Sequence, residues 1–184
     1  SGVDFCACSG FKWLMGDLGL GFLYVREDLL ESVIERTQFG YRSVNSYQTH
    51  FLPYDPPADR PFTWDFGETA SALFETGSVS GSARAALGAA IPYLREIGVD
   101  RIEKHRQPLL DLLREEMPRL GFECVTPIGT TSPVITFSMD EGARVREQFN
   151  RAGIDASVYP NHLRLSPSIY NDLTDVEWVL ESLS

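Results

Sequence analysis

The sequence predicts an α/β chain that closes in a small α+β domain, on three observations. It opens on "VDFCAC" (3–8), a nearly continuous apolar run of the kind that forms a strand covered on both faces. A helix-length stretch, "VDRIEKHRQPLLDLLREEMPRL" (99–120), carries Ile102, Leu109, Leu112, Leu113 and Leu120 on one apolar face. After it the patterns run β-β-α-β-β-α, the layout of a small domain of packed helix and sheet. The expected division is 1–96 and 97–184.

Each element has a local reason. A strand at 3–8 needs sheet neighbours that the other residues hardly supply, so the 184 residues are expected to be the C-terminal part of a longer polypeptide. "GFLYVR" (21–26) reads as a second strand, and "EDLLESVIE" begins a short helix. Residues 40–67 hold Pro53, Pro56, Pro57 and Pro61 among many aromatics, which predicts an ordered, irregular loop of a length often given to function. "SGSARAALGAAIPYLREI" (80–97) is helical, with Ser80 or Ser82 as cap and a kink at Pro92. "FECVTP" and "PVITFSM" read as strands, and "EGARVREQFNRAG" as a helix stopped by Gly153. "IDASVY" and "HLRLS" are strands again, and "LTDVEWVLESL" is a closing helix capped at Thr174 or a neighbour.

Charge narrows the function. The formal net charge of -10 argues against a general nucleic-acid binder and against docking on anionic membranes. Cys6, Cys8 and Cys124 fit neither a disulfide framework nor zinc-ligand spacing and read as small core residues. With no leader or spanning segment expected, the compartment reads as reducing and cytoplasmic.

Lysine is almost unused. Of the Lys+Arg total of 16, only Lys12 and Lys104 are lysines, and Lys12 lies between Phe11 and Trp13 in an apolar, glycine-studded segment. Desolvation there favours the neutral amine, a nucleophile that forms Schiff bases with carbonyls, pyridoxal phosphate among them. A lysine snorkelling from a turn fits the same residues. Ser9 and Gly10 offer a hydroxyl and close backbone approach to a phosphate. Gly16, Gly19 and Gly21 do not make a dinucleotide loop, because they lead into a strand and not into a helix.

"VDFCACSGFKWLMGDLGLGFLYVR" resembles the lysine signature of the class V aminotransferase family, the cysteine-desulfurase-like branch of fold type I pyridoxal-phosphate enzymes. The resemblance puts Lys12 at the Schiff-base position and Ser9 at a hydroxyl that contacts the cofactor phosphate. Phe11 departs from it, since His, Gln or Arg often precedes the lysine there. "LFETGSVSGSARAALGAAIPYLREIGVDRIEKH" resembles the F-E-x-G-T-x segment and its helix, which gives Ser78 a hydroxyl contact to the phosphate of the partner subunit. "LRLSPSIYN" resembles R-x-S-x-x-x-Y-N, which makes Arg164 the grip on a substrate α-carboxylate, with Ser166 and Asn171 as supports. An arginine fork suits a carboxylate; taken alone, Arg164 on an alternating strand reads as a solvated residue.

The resemblance implies the C-terminal part of a fold type I transferase: the end of the large-domain sheet in 1–96 and the small domain in 97–184. It implies pyridoxal 5'-phosphate as cofactor, an α-amino acid as substrate, a homodimer, and a whole enzyme roughly twice this length. The remaining cofactor groups would lie upstream; Asp4, on the lysine strand, is not the pyridine partner. The family's desulfurases carry a nucleophilic cysteine shortly before the arginine motif. "RAGIDASVYPNHLRLS" has none, so persulfide relay is disfavoured against transamination, epimerisation or C–S cleavage without a cysteine nucleophile. A non-catalytic interaction fragment or a degenerate paralogue of the same fold is the alternative, and it predicts loss of the reacting residues. His50, His105 and His162 form no constellation, with His162 read as an exposed loop residue. Trp13, Tyr24 and Trp64 are expected in a core or an interface.

Overall fold

The structure is a computed structural model that describes residues 2–184. Backbone contacts divide the chain into two compact units, Ser1–Tyr93 and Leu94–Ser184, with the boundary inside one helix.

The first unit opens on β1 (Phe5–Ser9), paired antiparallel with β2 (Gly21–Val25) in a two-stranded sheet. The register runs from Phe5 opposite Val25 to Ser9 opposite Gly21. β1 has the exposure expected of an apolar strand whose neighbours these residues hardly supply: Phe5, Cys6 and Ala7 are exposed, Phe5 by 50%. The reason is the size of the sheet. Among the described residues the other edge of β1 bonds to no strand, so both faces meet solvent. Cys6 therefore is not a core residue, and Trp13 and Tyr24 are exposed as well. Arg26 closes the base of the pair by bridging Asp4 and Asp28. A short α1 (Glu27–Ser32) follows.

Residues 40–67 are more regular than expected. A 3₁₀ turn at Tyr41–Ser43 leads into β3 (Val44–Thr49), which pairs antiparallel with β4 (Phe62–Phe66) around a bulge between Val44 and Ser46. Phe62 stacks on Tyr47 at 5.9 Å and meets Phe51 edge-on at 5.4 Å. His50 locks the tip, with Nδ1 at 2.7 Å from the Pro56 carbonyl and Nε2 at 2.7 Å from the Thr63 hydroxyl. The Pro56 carbonyl only accepts, so Nδ1 carries the proton and the Thr63 hydroxyl donates to Nε2. Trp64 is half exposed on this hairpin and belongs to no core.

Next come α2 (Ala70–Phe74), whose first turn Thr69 caps by accepting from the Ala72 N–H, and α3 (Gly81–Ile97), which runs through Pro92. Ser80 is the α3 cap, accepting from the Ala83 N–H at 3.3 Å.

The second unit holds the closed core. Its sheet is antiparallel throughout, in the order β5 (Glu123–Cys124), β6 (Ile135–Ser138), β8 (His162–Leu165), β7 (Ser157–Val158). Three helices pack on it: α4 (Val99–Glu116), α5 (Gly142–Ala152) and α6 (Leu173–Leu183). Strand alternation decides the faces. Ile135 and Phe137, with Leu163 and Leu165, point into the core, where Leu109, Leu113, Met117, Val145, Phe149 and Val176 meet them. Each side chain so buried contributes roughly 1.5–3 kcal/mol relative to exposure. On the apolar face of α4, Leu109 and Leu113 are buried while Ile102 and Leu112 are half-buried, and Leu110 joins the core; the expected helix ends at Glu116, and half-buried Leu120 lies in the 3₁₀ turn Met117–Leu120 that follows. The cap of α6 is Asp172 rather than Thr174. Its carboxylate accepts from the Thr174 and Asp175 N–H groups, and Asp175 returns a bond to the Asp172 N–H.

Candidate active site

The turn after β1 presents Lys12. Gly10 N–H donates to the Leu20 carbonyl at 2.8 Å, Gly16 N–H to the Gly10 carbonyl at 2.8 Å, and Met15 N–H to the Lys12 carbonyl at 3.0 Å. The glycines are there for closeness. A Cβ on Gly21 would lie 2.6 Å from the Cys8 carbonyl oxygen, and one on Gly16 2.9 Å from that of Gly10. The backbone beneath the lysine is thus held tightly. Lys12 itself is exposed, with Nζ 5.6 Å from the Phe11 ring centroid. Its exposure differs from the cover that the apolar run suggests, because only the inner side of the turn is packed.

Ser9, at the end of β1, lines a cleft of about 820 Å³ that also meets Cys8, Gly21, Arg42, Glu75 and Arg84. Arg42 crosses it to Glu75 at 2.8 Å. Ser78 is exposed in the turn before α3, and its Oγ is 2.6 Å from the Tyr41 hydroxyl. Lys12, Ser9 and Ser78 all belong to the first unit.

Arg164 belongs to the second. It alternates with Leu163 and Leu165, so it faces away from the core. It sits opposite Thr136 and Ser157 in register and donates to Ser157 Oγ at 3.4 Å. Among the described residues it has no carboxylate partner, which leaves its fork free. It lines a cleft of about 500 Å³ with Asp155, Ser166, Tyr170, Asn171 and Trp178. Asn171 acts as a brace: Oδ1 accepts from Ser168 N–H and Nδ2 donates to Asp175, both at 2.9 Å. His162 lies on β8, not in a loop, stacked on Tyr159 at 4.2 Å. Cys124 is half-buried, bonded by Arg114 at 3.3 Å.

The donor set fits pyridoxal phosphate: the Lys12 amine suits its aldehyde, and the exposed hydroxyls of Ser9, at the end of β1, and of Ser78, in a turn, suit phosphate oxygens. Tyr41 is the residue sequence reasoning missed. Nothing in "FGYRS" signals it, because its contact is set by a fold-back onto a turn 37 residues away.

Comparison with known proteins gives the same direction. Residues 1–157 match the family described as Aminotransferase class-V. A probable cysteine desulfurase of Methanothermobacter thermautotrophicus is 29% identical over 140 residues, 76% of this chain and 32% of that protein. An uncharacterised aminotransferase of Bacillus subtilis, YcbU, is 23% identical over the whole chain and is matched over 45% of its own length. An apo cysteine desulfurase from Thermococcus onnurineus superposes with a TM-score of 0.76 at 24% identity, over 97% of this chain and 45% of that one. The chain therefore has part of the fold of these enzymes, and it spans less than half the length of the relatives it matches. The desulfurase names do not support setting that chemistry aside on the missing cysteine of 151–166. No helix among the described residues is long and apolar enough to cross a membrane.

Proposed function

The chain belongs to the class V aminotransferase family, a pyridoxal-phosphate-dependent group, and from that premise we propose that it is the lysine-bearing part of an enzyme acting on an α-amino acid. The observation that carries the reading is the Lys12 turn, where the first unit's one lysine follows Ser9 by three residues on a backbone closed by Gly10, Gly16 and Gly21. Bound there, pyridoxal phosphate supplies an aldehyde for amines and a ring that draws electrons from a substrate Cα. Lys12 Nζ would be the group that holds the cofactor aldehyde, and its amine would carry the proton at the substrate Cα. Ser9 Oγ donates to the phosphate, and Ser78 Oγ donates to that of the partner subunit, which makes the whole protein a homodimer. Arg164 holds the substrate carboxylate by two parallel N–H bonds. The compartment is the cytoplasm, read from the cysteine usage.

Relatives called cysteine desulfurases make cysteine the first substrate to try. The whole protein, loaded with cofactor, is incubated with cysteine and then with a panel of amino acids. Sulfur release with alanine identifies desulfuration; release with a keto acid and ammonia identifies C–S lyase chemistry; a new amino acid from a keto acid identifies transamination. Turnover of no amino acid by cofactor-loaded protein overturns the proposal.

A further inference from the structure

We propose that Tyr41 is a positioning residue that aims the Ser78 hydroxyl at the cofactor phosphate. The inference rests on the reading of Ser78 as a phosphate contact. Three consecutive residues grip one turn. Gly40 lies so close to it that a Cβ there would stand 1.9 Å from the Thr76 carbonyl oxygen. The Tyr41 hydroxyl lies 2.6 Å from Ser78 Oγ, and Arg42 pairs with Glu75 at 2.8 Å. Residues 40, 41 and 42 thereby hold residues 76, 78 and 75. Arg36 extends the seam by donating to the carbonyls of Ala72 and Gly67.

Hydrogen-bond inventory sets the direction. Each hydroxyl has one proton to give, and a phosphate near neutral pH has mainly oxygens that accept. If Ser78 donated to Tyr41, it would have nothing to offer the phosphate. The productive order is Tyr41 O–H to Ser78 Oγ, then Ser78 O–H outward to the phosphate oxygen. Linked donors of this kind polarise one another, so the outward bond is stronger than Ser78 alone would make it. A serine hydroxyl otherwise rotates among staggered positions, and the tyrosine removes that freedom.

The test is a double-mutant cycle on the whole protein, read as cofactor dissociation constant by absorbance titration: Tyr41→Phe, Ser78→Ala and both together. Each is titrated with pyridoxal phosphate and with pyridoxal, which keeps the aldehyde and lacks the phosphate. Tyr41→Phe is expected to weaken pyridoxal phosphate binding about twofold to tenfold, the span of one ordinary hydrogen bond. It is expected to do nothing in the Ser78→Ala background, and nothing to pyridoxal in either. Tyr41→Phe without effect, where Ser78→Ala weakens binding, overturns the role of Tyr41 alone. An equal loss in both backgrounds, or an equal loss with pyridoxal, shows a merely structural tyrosine and overturns it too. Ser78→Ala without effect overturns the phosphate contact and the positioning role together.

Discussion

Replacing Arg164 by alanine separates catalysis from stability. The side chain is exposed on β8, faces away from the core, and makes one long bond to Ser157 at 3.4 Å. Its removal is expected to change folding stability by less than about 0.5 kcal/mol, the usual span for a surface substitution. That corresponds to a Tm shift of no more than about 1–2 °C. The substrate term is larger. A carboxylate enclosed with its bidentate guanidinium and then deprived of it costs about 3–5 kcal/mol. At 1.36 kcal/mol per tenfold, that is on the order of a hundredfold to several thousandfold in kcat/KM. Arg164→Lys restores charge without the fork and is expected to recover little. The assay is kcat/KM of the whole protein for each accepted amino acid, beside a thermal melt and a cofactor titration. Cofactor affinity is expected to be unchanged. A kcat/KM within about threefold of the parent, less than 1 kcal/mol, refutes the carboxylate grip. A large drop in Tm would show instead that Arg164 is structural.

Three further outcomes follow from the geometry. Asp172→Ala removes both bonds that cap α6 and is expected to lower unfolding free energy by about 1 kcal/mol in a denaturant titration. Asp28 and Asp55 are held below the usual carboxylate range, Asp28 chiefly by the Arg26 hydrogen bond and Asp55 by Thr49 and then the Phe51 N–H. A depressed carboxyl stabilises above its unfolded value of about 3.9 and loses that contribution as pH falls through the folded one. The β1–β2 base and the hairpin tip are therefore expected to loosen in acid, and Asp55→Asn should flatten the acid limb of a tryptophan-fluorescence titration at the hairpin. The 184-residue chain by itself, with Phe5, Phe22 and Leu23 exposed on a two-stranded sheet, is expected to self-associate and to hold cofactor poorly. A monodisperse monomer binding pyridoxal phosphate at micromolar affinity, seen by sedimentation and titration, would contradict this.

The second unit was legible because its signals are local. Alternation in "PVITFSM" and "HLRLS" fixes which residues enter the core, and Gly153 stops α5 in the left-handed conformation at φ 70°. The α6 cap shows the grain of such reading: Asp172 and Thr174 both suit a cap, and only geometry shows which oxygen faces the free N–H groups. The hairpin at 44–66 had its signal in "FTWDF", a period-two alternation, but four prolines nearby argued for irregular chain. Those prolines occupy the tip and its approach, outside the paired residues. The lack of partners for β1 was legible in its apolar run, whereas which side chains fold back onto a distant turn depends on segments far apart in sequence. The same limit hid Tyr41. Residue types and motif order sufficed to nominate Lys12, Ser9, Ser78 and Arg164, whereas the contact that orients Ser78 exists only in three dimensions.

The central claim is that Lys12 is the covalent anchor of the cofactor. Its most direct measurement is borohydride reduction of the cofactor-loaded whole protein, followed by digestion and mass mapping of the pyridoxyl group. The label is expected on Lys12 and is expected to be lost in Lys12→Ala. A label on Lys104 or any other lysine, or no label on protein that has bound the cofactor, would contradict it.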